Sequence, residues 1–279
     1  MPLTSPSFRL VASDIDGTLV DDRGRLSPRT KRALRAVHDR GVGIALVTGL
    51  NPWVARRYGD EIGPWVRVIC LNGIFTIEDG EIVPGRFIDA DVARAAVSII
   101  LDEGYVPLVH GADQVTRYLP RHRERMGEVS ALIAERPYQP YEPVERQGDL
   151  FVSPPAQVAV CDAPSHARAL YEVLHRRLDG KAYVVHQPGG RTWVEVSHPR
   201  ARKDSGLLTL ARNLGIAPAE VLYFGDSLND LPVFRRFPHA VAVANARPEI
   251  KPLAWRIARA NQDDGVAHFL IEWFELALD

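Results

Sequence analysis

Two cysteines in 279 residues cannot build a disulfide framework. Cys70 and Cys161 lie in separate apolar runs and read as reduced core residues. No apolar run approaches the roughly 20 residues that a membrane-crossing helix requires. Met1 to Pro6 lacks the basic-then-apolar layout of a secretory signal, so the expected address is the cytoplasm. An excess of one charge is missing too: the formal net charge is -1, with no polybasic tail. That argues against nucleic acid and membrane surfaces as partners. Internal repeats and low-complexity tracts are absent. Lysine is scarce: Lys31, Lys181, Lys203 and Lys251 are the only four among 34 basic residues, so each invites a question.

What is present is ordinary globular composition, 46% hydrophobic and 25% charged, at a length that suits one large or two moderate domains. Phe8 to Ser13 reads as a buried strand. Ser27-Pro28 is a helix start, with serine as cap and proline in the first turn, and Ala33, Leu34 and Val37 form its apolar face. Val42–Val47 and Val66–Leu71 are further strands, ending in Thr48-Gly49 and Asn72-Gly73. Leu19-Val20 and Arg25-Leu26 flank a polar turn and suggest a small hairpin. Strands alternating with helices predict a parallel α/β sheet. The middle changes character. Hairpins are expected over 77–83 and over 182–196 around Pro188-Gly189-Gly190, helices over 90–103 and 165–178, and irregular chain over 113–150. The last third returns to α/β, with a helix over 203–214 and strands over 221–224, 240–244 and 256–260. The expected class is therefore α/β, a parallel-sheet core interrupted by an α+β insert.

The chemistry gathers where strands end. Asp14 and Asp16 follow the first strand, and Gly17 bends the chain directly after them. Two neighbouring carboxylates repel, so such a pair points to a cation, a shared proton or a reaction. In open parallel sheets, ligands bind at the carboxyl ends of the strands. Asp14-Ile15-Asp16-Gly17, Thr48-Gly49, Asn72-Gly73 and Gly225-Asp226 fall there, a set of oxygen ligands suited to Mg²⁺. Lys203 at the head of a helix opposes the macrodipole, a placement that costs stability and so favours a functional role beside the other motifs.

This set, in this order, resembles the haloacid dehalogenase (HAD) superfamily of phosphotransferases. Asp14-Ile15-Asp16-Gly17-Thr18 matches its Asp-x-Asp-Gly-Thr opening, Thr48 its second motif, Lys203 its third, and Gly225-Asp226-Ser227-Leu228-Asn229-Asp230 its acidic fourth. Asn229, Ala244-Asn245-Ala246 and Asn261 leading to Asp264-Gly265-Val266-Ala267 look like the Cof-type subgroup. The resemblance implies a Rossmann-like core over 1–83 and 192–279, and an inserted cap domain over 84–191 of the C2B kind. It implies Asp14 as nucleophile and Asp16 as general acid and base. Mg²⁺ is expected on the Asp14 carboxylate, the Asp16 backbone carbonyl and Asp226. Thr48, Gly49, Lys203 and Asn229 are expected on the substrate side, with Asp230 in support.

The function so implied is a Mg²⁺-dependent phosphatase acting on a small phosphorylated metabolite through an aspartyl-phosphate, as a monomer or weak homo-oligomer. A phosphomutase with the same nucleophile is the alternative. A non-enzymatic phospho-receiver would be about half this length, and intact motifs speak against a member that has lost catalysis. Two positions depart from the family pattern: Leu50 replaces the usual arginine after Thr48, and Asp204 replaces the usual glycine after Lys203. Asp204 is expected to cap the helix and pair with a base such as Arg202. The insert is expected to act as a lid, hinged near Pro84-Gly85 and Gly189–Arg191. Arg117, Arg121, His122, Arg123 and Arg125 read as a solvated helix face. His110, His186 and His198 lack zinc-like spacing.

Overall fold

The computed structural model describes residues 7–187 and 192–278. The turn expected at 188–190 and the hinge expected at Gly189–Arg191 lie outside the described residues. The chain divides into two compact units, Met1–Val83 with Arg202–Asp279, and Pro84–Ala201.

The first unit opens with β1 (Leu10–Ser13), every residue buried, as befits a central strand of a sheet covered on both faces. Each such aliphatic side chain contributes roughly 1.5–3 kcal/mol of burial. Helix α1 (Pro28–Asp39) starts as the sequence predicts: Ser27 Oγ accepts from the Thr30 amide at 3.0 Å, and Thr30, Ala33, Leu34 and Val37 face inward. Strand β2 (Gly43–Val47) runs parallel to β1, with Leu46 opposite Ser13. Helix α2 (Pro52–Ile62) is capped by Asn51, whose Oδ1 accepts from the Val54 amide at 3.2 Å. Strand β3 (Arg67–Cys70) lies parallel to β2; β4 (Phe75–Glu78) returns antiparallel, and β5 (Glu81–Pro84) is the edge. The hairpin expected over 19–26 does not form. Instead the Asp21 carboxylate accepts the amides of Arg23 and Arg25, each at 2.9 Å, and folds the segment into a turn.

The second unit contains α3 (Ala90–Asp102), β6 (Leu108–Gly111), β7 (Thr116–Tyr118), α4 (Met126–Glu135), β8 (Tyr141–Pro143), β9 (Pro155–Asp162), α5 (Pro164–Arg177), β10 (Tyr183–Gln187) and β11 (Thr192–Ser197). Its sheet runs β10-β11-β9-β6-β7-β8. Val97 and Ile100 of α3 and Leu170 and Leu174 of α5 pack on Val158, Val160 and Val194. Residues 113–150, expected to be irregular, contain two strands and a helix; Pro143 is tolerated because β8 is an edge strand. The basic run is a solvated face only in part: Arg121 and Arg123 are exposed, but two of its arginines are tied down. Arg117 lies buried in β7 and forks onto Asp113 at 2.8 and 3.2 Å. Arg125 donates to Asp162 at 2.7 Å and lies over the Tyr105 ring.

Strand β11 pairs with β9 and β10, so residues 192–197 belong to this second sheet. The core, expected to resume at 192, therefore resumes at Arg202. From there α6 (Lys203–Asn213), β12 (Val221–Gly225), α7 (Leu231–Arg236), β13 (Ala240–Val243), β14 (Arg256–Ala258) and α8 (Gly265–Trp273) complete the first unit. Its sheet order is β14-β13-β12-β1-β2-β3-β4-β5, parallel from β14 through β3. The carboxyl ends of those strands share one edge. Among the described residues, no helix is long and apolar enough to cross a membrane.

Candidate active site

Parallel pairing brings the strand-end motifs together. Strand β1 lies between β2 and β12, so Asp14, Thr48 and Asp226 each leave a strand at the same sheet edge. The Asp14 amide donates to the Phe224 carbonyl at 2.9 Å, which extends the β1–β12 ladder to the first carboxylate.

Lys203 is the centre of the cluster. It has no exposed surface, and its Nζ donates to Asp14 Oδ1 at 2.5 Å and to Asp230 Oδ1 at 2.6 Å. A close approach of backbone sets its position. Gly73, at φ +100°, meets the start of α6, where a Cβ would lie 2.9 Å from the Arg202 carbonyl oxygen. Only glycine permits that contact and that backbone angle together. Asp204, the departure after Lys203, pairs with Arg202 as expected and also accepts from Arg236 at 2.8 Å, but the helix has no side-chain cap.

Asp230 is saturated. Its Oδ1 accepts from Lys203 and from the Tyr223 hydroxyl at 2.6 Å; its Oδ2 accepts from the amides of Asp226 at 3.0 Å and Ser227 at 2.9 Å. Four bonds fill the capacity of a carboxylate. Asp226 accepts from Thr18 Oγ1 at 2.9 Å. Gly17, at φ +75°, lies against it: a Cβ there would sit 2.7 Å from Asp226 Oδ2. Carboxylate oxygens of Asp14, Asp226 and Asp230 lie within 4.8 Å of one another.

Three carboxylates around one ammonium leave two negative charges in excess when all are ionised, and the titration behaviour follows. Burial raises the Asp14 carboxyl well above its ordinary value; Lys203 opposes the shift, and Asp230, Asp226 and Asp16 add to it. Burial likewise pushes Asp226 up to about 6, with Asp230 adding and Thr18 and Lys203 opposing. For Lys203, burial works against the charge, but Asp14 and Asp230 outweigh it and hold the ammonium above its ordinary value. Burial and the neighbouring Asp230 keep Tyr223 protonated as a donor. A dication would offset this excess, and hard oxygen donors suit Mg²⁺. With Asp230 fully used, the carboxylates suited to such an ion are Asp14 and Asp226.

The remaining expected residues flank this cluster. Asp16 is exposed, two residues past Asp14. Thr48 is buried; its Oγ1 accepts from the Leu50 amide at 3.0 Å and its carbonyl from the Asn72 amide at 2.9 Å, with Gly49 half-buried between. Asn229 Nδ2 donates to Asn72 Oδ1 at 3.2 Å. Asn72 sits at φ 56°, a left-handed conformation that asparagine tolerates better than most residues. Tyr223 had no expected role. Its signal is the one polar tip in an otherwise apolar strand, since a buried tyrosine hydroxyl needs a partner.

Comparison with known proteins agrees with this picture. The family described as haloacid dehalogenase-like hydrolase matches residues 11–270. The chain is 25% identical to an HMP-PP phosphatase of Serratia proteamaculans, covering 95% of each chain. It is 27% identical to a phosphoglycolate phosphatase of Methanothermobacter thermautotrophicus, covering 93% of this chain and 96% of the relative. A haloacid dehalogenase-like hydrolase from Bacteroides thetaiotaomicron shares the fold with a TM-score of 0.81, at 20% identity, over 96% of this chain and 100% of its own.

Proposed function

The chain belongs to the haloacid dehalogenase-like hydrolases, and from that premise we propose that it is a Mg²⁺-dependent phosphatase of a small phosphate monoester. The observation that carries this reading is the buried Lys203 held between Asp14 and Asp230, with Asp226 completing a cluster that has more negative charge than one lysine offsets.

Asp14 attacks phosphorus in line through a carboxylate oxygen. The new Asp14–phosphorus bond forms as the ester oxygen leaves, and Asp16 gives that oxygen its proton. Asp16, now a carboxylate, takes a proton from water, which attacks phosphorus and releases inorganic phosphate and free Asp14. Lys203 offsets the repulsion between an anionic nucleophile and an anionic ester. Asp14, Asp226 and the Asp16 carbonyl would hold Mg²⁺, which supplies the remaining positive charge to the transferring phosphoryl group. Thr48 and Gly49 would meet the phosphoryl oxygens, and the Asn229–Asn72 pair would set the rim of the site. Asp230 would act indirectly, by fixing Lys203 and the Asp226 backbone.

The ester itself is a separate matter. The two relatives are named for different phosphorylated compounds, so their names single out no substrate. Selectivity among esters is assigned to residues 84–201, whose described residues contribute nothing to the carboxylate–lysine cluster. The test is hydrolysis of p-nitrophenyl phosphate with Mg²⁺ and with EDTA, followed by a panel of phosphorylated metabolites. Metal-dependent release of phosphate, abolished in Asp14→Asn, is expected. Activity without metal, or full activity in Asp14→Asn, defeats the proposal.

A further inference from the structure

We propose that Asn245 is a positioning residue for Asp16, acting through the turn that carries it; the inference rests on the reading of Asp16 as proton donor. The turn is short and tightly closed. The Ile15 carbonyl accepts the amides of Thr18, Leu19 and Val20 at 3.3, 2.9 and 3.2 Å. Within it, Gly17 turns the backbone to φ +75°. On one side Thr18 Oγ1 ties the turn to Asp226. On the other, Asn245 Nδ2 donates to the Gly17 carbonyl at 2.7 Å, across 228 residues of sequence. The same carboxamide is itself held, because its Oδ1 accepts from the Asn261 amide at 2.9 Å. Asn261 Nδ2 then reaches the end of the turn, donating to the Val20 carbonyl at 3.0 Å and to Asp22 Oδ1 at 3.2 Å.

The segment that carries Asn245 also braces the second carboxylate loop, since the Arg247 amide donates to the Asp226 carbonyl at 2.9 Å. One loop therefore fixes the backbone on either side of the cluster. Asp14 needs no such support, being buried at the end of a ladder. Asp16 is exposed, beyond the last strand residue, and its side chain must meet an ester oxygen at hydrogen-bond distance. Displacements near 1 Å at such a group are costly to rate. Both ends of the Asn245 carboxamide are used, so an aspartate of the same shape keeps the acceptor, loses the donor and repels the Gly17 carbonyl.

The test uses two esters of similar shape, p-nitrophenyl phosphate and phenyl phosphate. Nitrophenolate leaves with little help from a proton; phenolate, a stronger base, needs more. Wild type, Asn245→Ala and Asn245→Asp are compared by kcat/KM, which reports transfer to Asp14. In both variants the loss on phenyl phosphate is expected to exceed that on p-nitrophenyl phosphate by about tenfold, a modest part of what general acid catalysis supplies. Circular dichroism and melting temperature establish folding of each variant; exposure of Asn245 favours it. Equal losses on the two esters, or none, overturn the inference and leave the phosphatase reading standing. Wild-type protein inactive on both esters with Mg²⁺ overturns that reading and this one together.

Discussion

Each unit of this molecule buries charge, and they do so differently. In the Pro84–Ala201 unit the bases are arginines in conventional pairs: Arg125 meets Asp162, and Arg117 meets Asp113 and Glu142, whose own side chains are 36% and 53% exposed. Around Arg117 the excess negative charge reaches water through those two carboxylates. In the other unit one lysine with no exposed surface faces three carboxylates, two of which it contacts directly. Pairing with solvent relief is a structural arrangement. A buried cluster with three carboxylates to one ammonium is an arrangement suited to a further cation. In a chain that uses arginine almost everywhere, the lysine at this point is informative: a compact ammonium touches Asp14 and Asp230 at 2.5 and 2.6 Å, a contact that a broad planar guanidinium does not reproduce.

The largest effect is expected at that lysine. Lys203→Ala leaves Asp14 and Asp230 buried without their cation, a change that costs about 3–5 kcal/mol where a buried pair is broken. Urea unfolding should show a loss of this size together with loss of metal-dependent hydrolysis. Arg125→Ala, at a part-exposed pair, should cost much less. If the two substitutions prove equally mild, the contrast between the units is wrong.

A second effect belongs to the insert. His110 is buried in β6, with Nδ1 2.7 Å from Thr116 Oγ1, and burial lowers it to about 4, with Arg136 adding to the shift. The unfolded chain protonates this ring near its ordinary value while the folded protein does not. Between about pH 6.5 and 4 the unfolded state therefore binds more protons, and stability falls as pH drops through that window. The shift corresponds to up to about 3 kcal/mol, fully present above the ordinary histidine value and lost toward the folded one. His110→Gln should flatten the melting-temperature profile across this range. A profile as steep as that of wild type would remove His110 from the account.

Metal should separate the units by a slightly smaller amount. A ligand that binds only the folded protein adds about 2.7 kcal/mol at one hundred times its Kd. Mg²⁺ titration should raise the melting temperature, EDTA should reverse it, and Asp226→Asn should blunt it. Substitutions in the Arg117 cluster should leave the Mg²⁺ response as it is in wild type. A Mg²⁺ shift preserved in Asp226→Asn counts against that carboxylate as a ligand.

What the sequence made legible divides along the same line. Asp14, Lys203, Asp226 and Asp230 stand at strand or helix ends, where a local pattern of apolar run followed by polar residue is readable, and the parallel sheet then brings them together. The insert gave weaker signals. Short strands such as Thr116–Tyr118 and Tyr141–Pro143 are too brief to show a period, and Arg117 within the first of them resembles part of a helix face until its pairing with Asp113 and Glu142 is known. Strand β11 resembled the start of the core because only its partners, β9 and β10, reveal which sheet it joins. Tyr223, Asn245 and Asn261 are visible in the sequence as a polar tip and as motif residues, but their partners, Asp230, the Gly17 carbonyl and each other, are visible only in the fold.

The smallest effect is the most exacting test of the comparison. Arg117→Lys keeps the charge in the insert and removes its geometry. Arginine supplies a fork to Asp113 and, through Nε, a 3.0 Å approach to Glu142; lysine supplies one ammonium. Losing one net hydrogen bond costs about 1 kcal/mol, and the exposure of both carboxylates limits the rest. A loss near that size is expected in urea unfolding, with kcat for p-nitrophenyl phosphate unchanged. The reciprocal Lys203→Arg also keeps charge, yet should abolish turnover, because the guanidinium has no room between Asp14 and Asp230. If instead Arg117→Lys lowered turnover as far as Lys203→Arg does, the arginine cluster of the insert would have to be counted with the chemistry, and the line between structural and catalytic charge would need redrawing.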